Sequence, residues 1–68
     1  MKTKSLITNL VYDTKSVVRI KNPKQAAKYV SNGCTLYDIV VDSDSKFVFI
    51  FDRDEASHYF VKWIDGTL

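Results

Sequence analysis

Cys34 and His58 are the only cysteine and the only histidine in this 68-residue chain, so thiol catalysis or zinc binding would have to run through them. A cysteine attacks as its thiolate, which needs a positive environment or the N-terminal end of a helix. Cys34 instead follows Gly33 at the predicted end of a helix, where the backbone dipole is negative and works against ionisation. Structural zinc takes four ligands, and one Cys with one His leaves half the set unfilled. Calcium comes next, because Asp42 and Asp44 open a D-x-D, with Asp52 further on. A calcium loop begun at Asp42 requires Gly at its sixth position and Glu at its twelfth. Phe47 and Arg53 stand there, so the aspartates read as a polar turn followed by a helix cap. No G-x-S-x-G, H-E-x-x-H, P-loop or dinucleotide fingerprint occurs, and two glycines cannot build a phosphate cradle. The expectation is a protein that is not an enzyme and holds neither metal nor cofactor.

Binding chemistry is better represented. In KSVVRIK, Lys15, Arg19 and Lys21 alternate with Ser16, Val18 and Ile20, and further along KFVFIF places Phe47, Phe49 and Phe51 at the same period of two. If Val18, Ile20, Val48 and Ile50 face a helical layer, the opposite face of the sheet carries cations beside three phenylalanines. Nucleic-acid bases stack on such platforms. The competing arrangement makes the phenylalanines core, with the two strands differing in register, or buries the face in a dimer. A helix-turn-helix is also legible in AAKYVSNGCTLYDIV, a run similar to excisionase-like proteins, with TLYDIV as recognition helix and KFVFIF as wing. A helix in the major groove should offer Arg, Lys, Asn or Gln to base edges, whereas this one offers Asp38, followed by Asp42 and Asp44. The IVV run prefers a strand.

The elements that must position these residues come from a pattern written twice. LVYDTKSVVRIKNPKQAAKYV can be laid on IVVDSDSKFVFIFDRDEASHYFV with one gap in the turn. Asp13 then meets Asp42, Val18 meets Val48, Ile20 meets Ile50, Asn22 meets Asp52, Ala26 meets Ala56 and Tyr29 meets Tyr59. Each unit reads as strand, polar turn, strand, helix. Asn22 caps one helix, with Pro23 at its first position and Gln25 third; Asp52 caps the other, with Glu55 third. Gly33 and Gly66 stop them in left-handed caps. The predicted strands are 5–12, 16–21, 35–41 and 46–51, and the helices 23–32 and 53–65. Ala56, Tyr59, Phe60, Trp63 and Ile64 form one apolar stripe on the second helix, and Ala26, Ala27, Tyr29 and Val30 a thinner one on the first. Burying both stripes on one sheet gives an α+β fold: a ββαββα pseudo-repeat with a four-stranded, mostly antiparallel sheet and two helices on one face. Residues 1–68 make a single domain, with repeats at about 5–33 and 35–66.

The net charge of +2 divides unevenly. Residues 1–34 hold Lys2, Lys4, Lys15, Arg19, Lys21, Lys24 and Lys28 against Asp13, a surplus of +6. Residues 35–68 hold Lys46, Arg53 and Lys62 against Asp38, Asp42, Asp44, Asp52, Asp54, Glu55 and Asp65, giving −4. A charged partner, a symmetric homodimer or neutralisation within one fold would each account for the split. MKTKSLITNL lacks the apolar run of a secretion signal, and no stretch is long enough to span a bilayer. With one unpaired cysteine, the expected location is the cytoplasm, without membrane attachment.

The segment NGCTLYDIVVDSDSKFVFIFDRDEASHYFVKWIDGTL resembles a family of short proteins of unknown function from phages, mobile elements and chromosomes of Gram-positive bacteria. The likeness covers about 45 residues. It lies in the paired alanines Ala26 and Ala27, Gly33, the F-x-F strand of Phe49 and Phe51 ending in Asp52, and a helix closing with Trp63 and Gly66. It implies a phage or mobile-element origin in a bacterial host cytoplasm, and no catalytic residue. Proteins of that kind and size commonly bind host or defence machinery. The expected function is a protein-interaction module, an inhibitor or regulator of a host or defence protein. The alternative is nucleic-acid binding through Lys15, Arg19, Lys21, Phe47, Phe49 and Phe51.

Overall fold

The computed structural model describes all of residues 1–68. Five strands and two helices follow in the order β1 (Lys2–Lys4), β2 (Val11–Asp13), β3 (Val17–Ile20), α1 (Pro23–Ser31), β4 (Leu36–Val41), β5 (Phe47–Asp52) and α2 (Arg53–Ile64). The fold is α+β, as expected, but its strands form two antiparallel sheets rather than one. β3, β5 and β4 make a three-stranded sheet with β5 central, while β1 and β2 pair only with each other. Both helices pack on one face of the larger sheet, and the N-terminal hairpin closes the other.

The predicted strand over 5–12 is therefore corrected: residues 5–10 form a turn between β1 and β2, and only Val11 and Tyr12 stand in a strand. SLITNL has strand-like composition, yet its polar side chains bind its own backbone instead. Ser5 Oγ accepts from the amides of Ile7 and Thr8, at 3.1 and 3.0 Å, and the Thr8 hydroxyl accepts from the Leu10 amide. Asn9 takes a left-handed φ of 62°, which Asn tolerates better than most residues. The chain reverses there, so only three residues remain for β2 and none of them reaches β3. The sheet loses its fourth strand for this reason.

The helix boundaries follow the predicted signals closely. The Asn22 side chain accepts from the amides of Lys24 and Gln25, with Pro23 at the first position, and Asp52 accepts from the Glu55 amide at 3.0 Å. At the far end of α1, Gly33 has φ +95° and the Cys34 amide donates back to the Tyr29 carbonyl. Gly66, φ +73°, closes α2 in the same manner, with the Thr67 amide donating to the Lys62 carbonyl. These bonds satisfy donors and acceptors that a helix end otherwise leaves open.

Register separates the two units of the supposed repeat. Val18 pairs with Phe51 and Ile20 with Phe49, so these four share the helix-facing side. Arg19 pairs with Ile50, and Val48 and Ile50 face the opposite way, against Tyr12, Val17, Tyr37 and Val40. The equivalence of Val18 with Val48 and of Ile20 with Ile50 is thus corrected by one step. Asp52 is both the last residue of β5 and the cap of α2, whereas Lys21 and Asn22 intervene between β3 and α1. The strand-to-helix junctions differ, and the side chains alternate out of phase.

Two apolar clusters result. On the helix side, Ala26, Tyr29, Cys34, Phe51 and Ala56 are buried, with the Tyr29 and Phe51 rings meeting edge to face at 5.4 Å. On the other side, Tyr12, Val17, Val48 and Ile50 are buried, and the rings of Tyr12 and Tyr37 stack at 5.5 Å. No helix is long and apolar enough to cross a membrane.

Candidate protein-binding edge and groove

The basic residues and the phenylalanines do not share a face. Lys15 lies exposed in the turn before β3, Arg19 is exposed within β3, and Lys21 follows β3 with its ammonium 3.1 Å from Asp42. Phe47 is exposed beside the β4–β5 turn. Phe49 is half-buried and Phe51 is fully buried, both beneath the helices. The aromatic platform on an open sheet face is accordingly corrected. β5 is apolar on both sides, so the period of two in KFVFIF did not say which side met the helices.

A different site forms around β3. Its outer edge is unpaired, because β5 occupies only one side of it. The Arg53 amide donates to the Ser16 carbonyl at 3.0 Å, so Ser16, Val18 and Ile20 direct their backbone groups towards β5. By the alternation of an antiparallel ladder, Val17 and Arg19 direct theirs outward. The Val17 carbonyl accepts from the Arg53 guanidinium at 3.3 Å. What remains for a partner is the N–H and C=O of Arg19 and the N–H of Val17.

Beside this edge runs a groove of about 340 Å³ between β3 and α2. Val18 and Ile20 form one wall, Ala56 and Phe60 the other, with Tyr29 at the floor. Arg53 and Ser57 are its only polar lining residues. Tyr29 is held by a hydrogen bond from Gln25 Nε2 at 2.8 Å and by the ring of Phe51, so the floor is fixed. Phe60 is half exposed, and Val61 and Ile64 continue the apolar surface of α2 outward. The predicted stripe on α2 is therefore only partly covered: Ala56, Tyr59 and Trp63 turn to the core, while Phe60 and Ile64 do not.

The opposite edge, β4, is occupied over Tyr37 to Ile39. The Thr8 hydroxyl donates to the Tyr37 carbonyl, and the Asp38 carboxylate accepts from the Ile39 amide at 2.9 Å. Asp38 also accepts from Ser5 Oγ at 2.7 Å and from the Tyr12 hydroxyl at 2.8 Å. Register shifts between Leu36 and Asp38, and this irregularity lets both Tyr37 and Asp38 serve the face under the N-terminal hairpin. Burial works against the charged form of Asp38, but the three donors outweigh it and hold the carboxyl below its usual range. Burial first, and then Asp38, push Tyr12 upward. Sequence reasoning missed this clasp. The available signal was a lone aspartate inside the apolar run LYDIVV, which calls for buried donors.

Cys34 is buried, and burial, followed by the carboxylates of Glu55 and Asp52, pushes its thiol up to about 11. It is a thiol at neutral pH and a poor nucleophile. His58 is exposed on α2, and no three His, Cys, Asp or Glu side chains converge on a point that would hold a metal ion. Residues 36–41 form a strand, so the recognition helix of a helix-turn-helix is absent. No family model, curated protein or solved structure matches the chain.

Proposed function

We propose that this protein is a non-enzymatic interaction module that binds another protein through the surface formed by β3 and α2. The observation that carries the reading is the half-exposed Phe60 at the mouth of an apolar groove, beside a strand edge with free hydrogen-bonding groups. Aromatic side chains at the centre of such surfaces supply a large share of binding energy. The resemblance of about 45 residues, Ala26 and Ala27 included, to short phage and mobile-element proteins extends the proposal: the partner is a host or defence protein in a bacterial cytoplasm, and the module inhibits or regulates it. A symmetric homodimer using the same surface is the simplest competing assembly.

Nucleic-acid binding draws on Lys15, Arg19 and Lys21, of which only Arg19 lies within β3, while Lys15 precedes it and Lys21, which follows it, is paired with Asp42. With Phe51 sealed and Phe49 under the helices, only Phe47 is left exposed for stacking on a base. That reading is the weaker of the two. The experiment is affinity capture from a Gram-positive host lysate with the wild-type protein and with Phe60→Asp, run in parallel at low and high salt. A protein retained by the wild type and lost with Phe60→Asp supports the module. Capture unaffected by the substitution, or salt-sensitive retention of nucleic acid alone, overturns it.

A further inference from the structure

Resting on the interaction reading above, we infer that β3 takes up an extended, acidic segment of the partner as an added strand, whose alternate apolar side chains enter the groove beside α2. Three independent features of the site ask for the same ligand. The outward N–H and C=O of Arg19 and the N–H of Val17 match the spacing of a strand, and main-chain pairing at an exposed edge is a recurrent way to capture a peptide. Side chains of an added strand point alternately to the two faces of the sheet. On one face they meet Val18, Ile20 and Phe60, which are apolar; on the other they meet the exposed Arg19.

Charge selects among possible occupants. Lys15 and Arg19 are exposed along the edge, while Asp13 is engaged by the Lys15 amide and the N-terminal ammonium and Asp42 by Lys21. An extended segment in which apolar residues alternate with Asp or Glu satisfies both faces at once. A second copy of this chain satisfies them poorly, because two-fold pairing of β3 edges about Arg19 would set the two guanidinium groups opposite each other, and like charges in that position destabilise a strand pair. Cations on an edge strand are a common device against self-pairing. A small apolar ligand would fill the groove and leave the edge groups unused.

The probe is a fluorescent peptide of about six residues alternating Glu with Leu or Val. Controls are a scrambled peptide of equal composition, a version with Lys for Glu, and two versions N-methylated at one or the other set of alternate amides. Wild-type protein should bind the alternating peptide and lose about tenfold in affinity with Phe60→Asp and with Arg19→Glu. Arg19→Glu should gain affinity for the lysine version. N-methylation on one set of alternate amides should abolish binding, whereas on the other set it should be tolerated. Both substituted residues are exposed, and far-ultraviolet circular dichroism confirms that the variants fold. Binding that ignores N-methylation reduces the effect to charge attraction and overturns strand addition. So does a failure of the peptide to bind, or a concentration-dependent dimer that Arg19→Ala, which removes the facing like charges, strengthens. If the lysate partner depends on Phe60 while no peptide binds, the module survives and strand addition falls; if neither depends on Phe60, both fall.

Discussion

The two faces of the central strand β5 are closed by different physics. On one side, Phe49 and Phe51 lie under α1 and α2, and the contact is apolar, led by Tyr29, Ala26 and Ala56. On the other, Val48 and Ile50 lie under Tyr12, and the cover is tied down by a buried carboxylate that gathers Ser5, Tyr12 and the Ile39 amide. Apolar contact is non-directional and tolerates small shifts, whereas a buried carboxylate must find its donors in place. The helical layer should therefore govern global stability. The N-terminal hairpin should behave as a clasp, able to release without unfolding the rest.

The largest expected effect tests the first half of that contrast. Phe51 is completely enclosed, and Phe51→Ala should cost about 3–5 kcal/mol. For a domain of this size, total stability is roughly 3–10 kcal/mol, so the variant should be largely unfolded at 37 °C in thermal or urea titration. Phe47→Ala, four residues earlier on the same strand and exposed, should stay within about 0.5 kcal/mol of the wild type. The two phenylalanines share a face of β5, so equal losses at the two positions would mean that the helical layer encloses Phe47 as well as Phe51.

Asp38→Ala tests the second half. It strands the hydroxyls of Ser5 and Tyr12 beside an apolar cluster, at an expected cost of about 1–3 kcal/mol. Hydrogen exchange should localise the loss: the amides of Ile7, Thr8 and Ile39 exchange faster, while those of α1 and α2 keep their protection. Acid should reproduce the effect in the wild type. The Asp38 carboxyl is lower in the folded than in the unfolded chain, so its contribution is complete above the unfolded value of about 3.9 and disappears as pH falls through the folded one. Tyr12 adds the opposite dependence at high pH. Its folded value is raised, so stability falls as pH climbs past the ordinary value of about 10, where the unfolded chain ionises first. A wild-type clasp that stays closed well below the Asp38 transition would remove the carboxylate from its assigned role.

What could be read from the sequence divides along the same line. The helical side announced itself through local signals: Asn22 with Pro23, Asp52 with Glu55, and the two glycine stops, each a short-range device whose partners lie within one turn. The β4–β5 hairpin and the pairing of tyrosine and alanine positions in the helices were legible for the same reason. The clasp was not, because Ser5 and Asp38 are distant in the chain and nothing near either residue names the other. Nor was the direction of β5, since F-V-F-I-F offers an apolar residue to both faces. The candidate site shows both outcomes: Arg19 stands exposed on its strand as expected, whereas Phe49 and Phe51 went to the core and Phe60 took the exposed aromatic role.

The smallest expected effect sharpens the comparison within the helical layer. Asn22 and Asp52 occupy equivalent positions, but Asn22 accepts two backbone amides and is exposed, whereas Asp52 accepts one amide and also the Tyr37 hydroxyl at 3.1 Å. Asn22→Ala should cost about 1 kcal/mol, the ordinary value of a lost cap, and fray only the first turn of α1. Asp52→Ala removes in addition a negative charge at the start of α2, where the helix dipole favours one, and releases Tyr37 from its partner. Its cost should exceed that of Asn22→Ala by about 0.5–1 kcal/mol. Tyr37 stacks on Tyr12, so the released ring belongs to the other face of the sheet. Asp52→Ala should therefore speed exchange at the N-terminal hairpin as well as at α2, and Asn22→Ala should not. If the two variants perturb the hairpin equally, the faces are coupled through the sheet as a whole; if only Asp52→Ala does, the coupling runs through the Asp52, Tyr37 and Tyr12 contacts, and the clasp is tied to the helical layer at that one point.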